Sequence, residues 1–231
     1  MHIPDGYLGP PTFGSFWAAM IGVWSFAARK VQQKIKASQV PYLAMASAFS
    51  FVAMIISIPL PGGTSAHITG APLVAILLGP WAAVISVSAA LVIQALLFGD
   101  GGVTAIAANC FNIAFAASLS GYGIYYLITA FARLFTIDKS AIDGGNRSNA
   151  LSIEITSAAI GSYIGINVAA LLTALELGIQ PLIYSAGQGY FPYGLGISLP
   201  AIVIPHLTFV GALEAIVASL VIGFVRKGNL Q

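Results

Sequence analysis

The first two residues, Met1 and His2, place three nitrogen atoms within reach of one cation. The α-amine, the amide nitrogen between the two residues and Nδ1 of His2 are covalently linked, so they close two fused chelate rings without any folding entropy. The amide nitrogen must lose its proton, which divalent nickel and copper promote and calcium and magnesium do not. Such a planar nitrogen set favours Ni(II) or Cu(II) and leaves one position open.

A second histidine, His67, could fill that open position. It lies in the stretch "PLPGGTSAHITGAP", where Gly62 and Gly63 permit unusual backbone angles. Thr64 and Ser65 are predicted to cap a short helix that begins near His67. Irregular backbone before a short helix is tolerated at membrane depth where it lines a cavity. We therefore expect this stretch to form part of a binding site.

The residues after His2 favour a packed segment over a frayed tail. Pro4 stiffens the chain, Asp5 and Gly6 form a turn, and "YLGPPTFGSFW" is rich in prolines and aromatic residues. The first arginine, Arg29, follows the first apolar run, whereas a secretory signal has its positive residues ahead of that run. We therefore expect the amino end to be retained.

Other polar residues lie near these ligands or inside apolar segments, where polar groups seek partners within a helix bundle. The candidates for supporting the metal ligands are Asp5, Thr64, Ser65, Asn109, Asn112 and His206. Asn109 and Asn112 lie three residues apart on one helix face, where bonding between helices is the alternative role. His206 lies about 9 Å into the last apolar segment, and a structural hydrogen bond is its alternative role.

Three further residues are candidates for coupling to other subunits: Ala44, Ala48 and Glu214. An acid near the middle of an apolar segment, such as Glu214, marks a functional site unless an amide pairs with it. Ala44 and Ala48 are four residues apart, as are Gly161 and Gly165. Small residues at this spacing let helices pack closely, either within the fold or against another membrane subunit.

The composition is that of a polytopic membrane protein. The chain has 231 residues, of which 58% are apolar and 7% charged, against roughly 25% charged residues in soluble domains. A net charge of +2 does not suggest a nucleic-acid partner. The single cysteine, Cys110, excludes a disulfide within the chain and a site built from several thiolates.

The apolar segments and the basic residues together predict the topology. We assign seven apolar segments, at 12–28, 41–58, 67–78, 81–98, 103–134, 150–175 and 200–225. If 67–98 is a tight hairpin at Gly79-Pro80, all nine basic residues fall on one side, which is then cytoplasmic. The sequence thus predicts one all-α membrane domain, 1–231, with about seven transmembrane segments, the amino end outside and the carboxyl end inside.

The connecting segments follow from this topology. The outer side receives the metal-binding segment 1–11 and an aromatic loop, 176–199, which is either an interfacial loop or a lid over an outer site. Asp100 and Glu176 are expected to face outward. The polar stretch 136–149 is predicted to be a cytoplasmic linker.

Several of these stretches match one known family. The stretches "MHIPDGYL", "PGGTSAHITGAPLVAILLGPWAAV", "QALLFGDGG" and "AANCFNIAF" together resemble the CbiM/NikM family. These proteins are substrate-capture (S) components of energy-coupling-factor (ECF) transporters for cobalt and nickel. The resemblance implies a helical bundle in which an additional first helix, 12–28, places the amino terminus outside. It also implies that Met1, His2 and His67 hold the metal.

The resemblance also implies how such a protein works. Its cargo is Ni²⁺ or Co²⁺, it needs no organic cofactor, and it is not an enzyme. A scaffold (T) membrane subunit, ABC-type ATPase subunits and often a small accessory membrane subunit accompany it in a prokaryotic cell membrane. The absence of a GxxxxGK[ST] phosphate loop agrees with ATP hydrolysis by partners, and the resemblance makes Ala44 and Ala48 candidates for docking on the scaffold.

Two other functions fit the sequence less well. A self-sufficient divalent-metal channel or secondary transporter needs a polar path across the whole membrane, but the polar residues cluster in the outer half, apart from Glu214. An intramembrane hydrolase using Ser65 or the histidines would lack both an HExxH pair and a nucleophile elbow. Metal capture is therefore the favoured function.

Overall fold

The structure is a computed structural model that describes residues 1–60, 64–136, 146–184 and 189–228. The described chain is a bundle of helices with one two-stranded hairpin. The α-helices are α1 (Pro10–Lys34), α2 (Val40–Ile55), α3 (Ala71–Leu78), α4 (Pro80–Ile93), α5 (Ile106–Asn109), α6 (Ser118–Thr136), α7 (Asn146–Gly178), α8 (Gln180–Ile183), α9 (Leu195–Pro205) and α10 (Gly211–Gly228).

Shorter elements complete these helices. A 3₁₀ turn, Ala37–Gln39, precedes α2. Three stretches of the described chain are π-helical. Gln94–Phe98 continues α4, Cys110–Ala117 joins α5 to α6, and His206–Val210 joins α9 to α10. The two strands are β1 (Ile58–Leu60) and β2 (Thr64–Ala66), which pair antiparallel.

Five helices of the described chain are long and apolar enough to cross a membrane. They are Ala37–Ile55, Pro80–Phe98, Ile106–Leu134, Asn149–Ile183 and Leu195–Lys227, and they correspond to five of the seven predicted segments. The first segment forms α1, whose 25 residues span about 37 Å but are less apolar. The third forms α3, whose eight residues cover only about 12 Å.

The predicted hairpin at Gly79-Pro80 is confirmed. Gly79 ends α3 with φ 94° and ψ 153°, and Pro80 starts α4. The ring of Trp81 lies 4.7 Å from that of Phe26 near the end of α1. At its other end, α4 continues to Phe98, whose ring lies 5.2 Å from that of Phe51 near the end of α2. The short α3 therefore returns the chain, so that α4 runs antiparallel to α1.

Alternating helix directions gather the described basic residues at one end of the bundle. Glycines let α6 and α7 pack closely and antiparallel, since a Cβ on Gly161 would lie 2.5 Å from the carbonyl oxygen of Gly121. Arg226 near the end of α10 pairs with Glu154 near the start of α7 at 2.8 Å. We call this basic end the inner end and the end that holds Met1 the outer end.

Two predicted connections are shorter than expected, because the helices extend further. The prediction of an outer loop over 176–199 was wrong at both ends. Helix α7 reaches Gly178, α8 covers Gln180–Ile183, and α9 starts at Leu195. Residues 185–188 lie outside the described chain. The linker 136–149 lies mostly outside it as well, and α7 already begins at Asn146.

The predicted cap of α3 is also wrong. Thr64 and Ser65 belong to β2, where they pair with Leu60 and Pro59, so they cannot cap a helix. The helix instead starts after Gly70, which adopts the left-handed conformation with φ 66° and is one of the few positions that needs a glycine. Gly62 and Gly63, which were predicted to permit unusual backbone angles, lie outside the described residues.

Candidate metal site at the amino terminus

The amino-terminal segment, residues 1–9, has neither helix nor strand, and it is nevertheless buried at both ends, at residues 1–3 and 8–9. Met1 and Ile3 are completely buried, and His2 is only 3% exposed. Burial of irregular backbone requires partners for its polar groups. The prediction of a packed segment rather than a frayed tail is confirmed.

The side chain of Asn109 binds the backbone of Ile3 in both directions. The Ile3 amide donates to Oδ1 of Asn109 at 2.8 Å, and Nδ2 of Asn109 donates to the Ile3 carbonyl at 3.2 Å. The same carbonyl accepts from the Gly102 amide at 2.8 Å. These bonds attach the segment to the first turn of the helix that starts at α5.

Asp5 fixes the turn that follows. Its carboxylate accepts from the amides of Val103 and Thr104 at 2.9 and 2.8 Å, and from the Thr104 hydroxyl at 2.6 Å. Partial burial raises the pKa of Asp5, but the bonds from Thr104 and Val103 outweigh it, so the pKa is lowered overall. Further along, the Gly9 amide donates to Oε1 of Gln180 at 3.1 Å.

The amine of Met1 faces the imidazole of His67. The amine nitrogen lies 3.3 Å from Nε2 of His67 and 3.4 Å from the Ser65 hydroxyl, to which it donates. Burial lowers the pKa of the amine from 8.0 to about 4, and the charge of Asp100 only partly opposes this. At neutral pH the amine is therefore uncharged, and its lone pair is free for a metal.

The two imidazoles stack in the same buried space. The rings of His2 and His67 lie 4.5 Å apart with planes inclined by 27°. Burial lowers the pKa of both rings, and the neighbouring amine lowers it further when it is protonated, while the hydrogen bond from Nδ1 of His2 to Asp100 opposes the shift at His2. Both rings are therefore neutral, which is the form that binds metals.

One contact differs from the predicted chelate. Nδ1 of His2 lies 2.9 Å from Oδ1 of Asp100, while Nε2 of His2 is buried without a described partner. A ring nitrogen makes only one bond in the ring plane, so it cannot bind Asp100 and a metal together. The predicted chelate therefore requires the His2 ring to turn about its Cβ–Cγ bond and release Asp100.

Glu214 holds the His67 loop, residues 67–70, from the middle of the bundle. Its carboxylate accepts from the amides of Thr69 and Gly70 at 2.8 Å each and from the Thr69 hydroxyl at 3.4 Å. A negative charge at the start of α3 is also favoured by the helix dipole. The carboxylate thus binds backbone, not the side-chain amide that the sequence suggested.

His206 is buried close to the site. Nδ1 of His206 bonds to the Ile202 carbonyl at 2.7 Å, and Nε2 has no described partner. The ring is close enough to the Met1 amine and to His67 that a proton on one of these groups would disfavour a proton on another. A neutral imidazole with Nδ1–H on a carbonyl presents the Nε2 lone pair that a metal or water can use.

The supporting candidates therefore divide into two groups. Asp5, Ser65 and Asn109 contact the amino-terminal segment, and Thr64 is buried in β2 next to Ser65. Asn112 does not reach this segment, because its side chain bonds to Thr173 and Glu176 of α7. Glu176, expected to face outward, is buried, since α7 continues past it.

Sequence reasoning missed the partners in the "GDGG" stretch. Asp100 lies between Gly99 and Gly101, which have φ values of 67° and 93°. A Cβ on Gly101 would lie 3.1 Å from Nδ2 of Asn109, and one on Gly102 would collide with the Asp5 amide. The run of glycines was the available signal, since it marks a place where another backbone approaches closely.

Side chains alone do not make this a metal site. Within the described ranges, no group of three His, Cys, Asp or Glu side chains is arranged to hold a metal ion. A site here needs nitrogen donors from the backbone, namely the Met1 amine and the His2 amide, beside the imidazoles. This requirement matches the chemistry predicted from the first two residues.

Comparison with known proteins places this geometry in a family. A family model described as "CbiM: Cobalt uptake substrate-specific transmembrane region" matches residues 2–230. The "Fused nickel transport protein NikMN" of Rhodobacter capsulatus is 41% identical over 99% of this chain and 62% of its own length. The "Putative metal transport protein MJ1569" of Methanocaldococcus jannaschii is 40% identical over 98% of this chain and 92% of its own.

A solved structure agrees along the whole chain. The "Crystal Structure of an transition metal transporter" is 46% identical, has a TM-score of 0.88, and matches over 100% of this chain and 95% of its own. The chain spans 62% and 65% of the two fused nickel transport proteins, from R. capsulatus and Lactiplantibacillus plantarum. With matches in sequence and in structure over nearly all of its residues, the chain belongs to the CbiM family.

Proposed function

We propose that this chain is the metal-capture (S) subunit of an ECF-type ABC importer, which binds Ni²⁺ or Co²⁺ at the outer end and passes it inward. The observation that carries the proposal is the buried contact of 3.3 Å between the Met1 amine and Nε2 of His67, with the His2 ring stacked beside it. The Met1 amine and the His67 imidazole are uncharged at neutral pH, so neither carries an extra proton that the ion must displace.

The donor set supports a transition metal as the cargo. Nitrogen ligands suit nickel and cobalt, whereas calcium and magnesium prefer oxygen. Similar proteins carry both names, "Fused nickel transport protein NikMN" and "Cobalt transport protein CbiM". A planar set of four nitrogens favours nickel, so we propose nickel as the preferred ion. No organic cofactor enters this proposal.

In the proposed mechanism the protein provides a nearly complete site before the ion arrives. The Met1 amine, the deprotonated His2 amide, Nδ1 of His2 and Nε2 of His67 would coordinate the ion, after His2 releases Asp100. Asn109 and Asp5 hold the backbone of the amino-terminal segment, and Glu214 holds the His67 loop. Little ordering entropy then remains to oppose binding.

Energy for inward release would come from partner subunits. We propose that a scaffold membrane subunit and ABC-type ATPases complete the importer, with a small accessory membrane subunit as a further partner, in the inner or plasma membrane of a prokaryote. The basic inner end would face the cytoplasm, as the bias of Lys and Arg toward cytoplasmic loops indicates. Ala44 and Ala48 are the proposed docking residues for the scaffold.

The decisive experiment changes the amine without changing any side chain. One glycine added ahead of Met1 moves the free amine out of the site, and nickel bound to the purified full chain is measured by calorimetry and by elemental analysis. We expect stoichiometric binding to be lost. The matched control is Glu154→Gln, a change at the inner end. Mass spectrometry of the same samples establishes that the starting protein has a free Met1 amine.

Unchanged nickel binding by the extended protein would overturn the amine-based site. A self-sufficient channel or secondary transporter is the competing function, and purified chain alone in liposomes distinguishes it. The proposal predicts nickel capture without net uptake into such liposomes. Uptake that needs no other protein would favour the competing function.

A further inference from the structure

A second buried polar pair, Glu176 and Asn112, lies outside the proposed metal ligands. Asn112 belongs to the π-helical stretch Cys110–Ala117 and is fully buried, while Glu176 of α7 is 6% exposed. Nδ2 of Asn112 donates to Oε2 of Glu176 at 2.8 Å and to the Thr173 hydroxyl at 3.2 Å. The pair therefore joins α7 to the helix that carries Asn109.

Each member of this pair has one oxygen without a partner. Oε1 of Glu176 and Oδ1 of Asn112 are both buried, and neither has a hydrogen-bond donor in the described part of the chain. The ion pairs among the described residues are His2 with Asp100 and Arg226 with Glu154, so no described cation neutralises Glu176. An ionised carboxylate here would be a buried charge without a counterion, beside a second unsatisfied acceptor.

We propose that Glu176 is a protonated carboxylic acid whose hydroxyl donates to Oδ1 of Asn112, forming what we call the acid–amide pair. A carboxylic acid has one donor and one acceptor, so a single proton satisfies both unpartnered oxygens. The acceptor oxygen of Glu176 keeps the 2.8 Å bond from Nδ2 of Asn112. The two groups then exchange hydrogen bonds in both directions.

The acid–amide pair connects the two helices that hold the amino-terminal segment. Asn109, three residues before Asn112 on the same helix, binds the backbone of Ile3. Gln180, four residues after Glu176, accepts a hydrogen bond from the Gly9 amide. If the two helices separated, the ends of the segment would be pulled apart. We therefore assign Glu176 and Asn112 as positioning residues for metal capture.

This role rests on the proposed function, because the position of the Met1 amine matters only if it binds the ion. The protonation of Glu176 does not rest on it. The experiment can therefore measure the proton in metal-free protein and the positioning role separately.

Infrared spectroscopy tests the proton directly. Metal-free full chain at neutral pH is compared with Glu176→Gln, and Glu154→Gln on the same helix is the matched control, since Glu154 is paired with Arg226. We expect a protonated-acid carbonyl band that Glu176→Gln removes and Glu154→Gln leaves in place. Loss of a carboxylate band in Glu176→Gln, with the acid region unchanged, would overturn the proposal.

Nickel calorimetry and hydrogen exchange test the positioning role. Glutamine offers the same donor and acceptor, so Glu176→Gln should bind nickel within twofold of the wild type. Glu176→Leu removes both, and we expect at least tenfold weaker binding and faster amide exchange in residues 3–9. Wild-type binding and exchange in Glu176→Leu would overturn this role; if that variant does not fold, a tenfold loss in Glu176→Gln would do so.

The two proposals fail in different ways. If nickel binding survives both the amino-terminal extension and loss of His67, the proposed function fails while the acid band remains. If the acid band is absent while nickel binding depends on Met1 and His67, only the present inference fails.

Discussion

The amino-terminal segment and the surface of α2 are built in opposite ways, although both were predicted to bind something. Six of the nine residues of the segment make a described polar contact with another part of the chain, and the partners include His67, Asp100, Asn109 and Gln180. By contrast, Ala44 and Ala48 line an open apolar groove of about 610 Å³ between α2 and α4. We call it the α2–α4 groove.

The difference matches the size of the proposed ligands. A small ion contributes few contacts, so the protein must fix the donors beforehand, and each bond to the segment serves that purpose. A membrane subunit contributes a large surface, and small residues on a helix leave room for it. The outer site should therefore be sensitive to single polar changes, and the α2–α4 groove to changes in volume.

The largest effect is expected from His67→Ala. The substitution removes the imidazole nitrogen that lies 3.3 Å from the Met1 amine, while α3 and β2 keep their own contacts. Nickel affinity should fall at least a hundredfold, or about 2.8 kcal/mol, by calorimetry on purified protein.

Thr208→Val is the control for His67→Ala, because Thr208 is exposed and its hydroxyl bonds only within its own helix. It should bind nickel as the wild type does. Equal loss in both variants would point to general destabilisation and would contradict a ligand role for His67.

Asn109→Leu should have the next largest effect. Leucine is of similar size but leaves the Ile3 amide without its partner, at a cost of about 1–3 kcal/mol. We expect nickel affinity to fall about tenfold together with a lower thermal midpoint. Asn167→Leu is the matched control, since Asn167 bonds within α7 to Tyr163. Its nickel affinity should not change.

A smaller effect is expected from Glu214→Gln. The carboxylate uses a different oxygen for each of two amides, Thr69 and Gly70, and a carboxamide keeps only one acceptor oxygen. The His67 loop should then be less well held, with nickel affinity reduced about threefold, which corresponds to roughly 0.7 kcal/mol. Glu214→Ala should reduce it further, and an order of effect reversed between these variants would contradict the positioning role.

The features that could be predicted from the sequence are those that depend on a local pattern or on the distribution of charged residues. The hairpin at Gly79-Pro80 followed from nine basic residues that had to share one side, and the chelating nitrogens followed from the order of the first two residues. The partners of Glu214 and Glu176 could not be predicted. One binds backbone 144 residues away, and the other is buried because α7 extends beyond its apolar segment.

The same limit explains the cap of α3 and the orientation of His2. Thr64 and Ser65 have good capping side chains, but pairing with β1 uses their backbone in a strand. Nδ1 of His2 is a good metal ligand, but the turn at Gly99 and Gly101 brings Asp100 against it. In each case a contact with another segment prevailed over a correct local preference, with a neighbouring strand for Thr64 and Ser65 and with a distant turn for His2.

The smallest effect on metal binding is expected from Ala44→Leu combined with Ala48→Leu. The added side chains fill the α2–α4 groove, whose lining includes neither of the residues that contact the Met1 amine, Ser65 and His67. Nickel affinity should therefore stay within twofold, while association with the scaffold subunit and nickel uptake by the assembled importer should fall at least tenfold.

Ala212→Leu is the matched control for the groove, since it adds the same volume to an exposed position on α10. It should leave both binding and uptake unchanged. Loss of uptake in both variants would show only that a bulkier lipid-facing surface is harmful. Loss of nickel binding in the groove variant would show that the amino-terminal segment and the α2–α4 groove are coupled within the isolated subunit. The proposal that one region binds only the ion and the other only a protein would then be wrong.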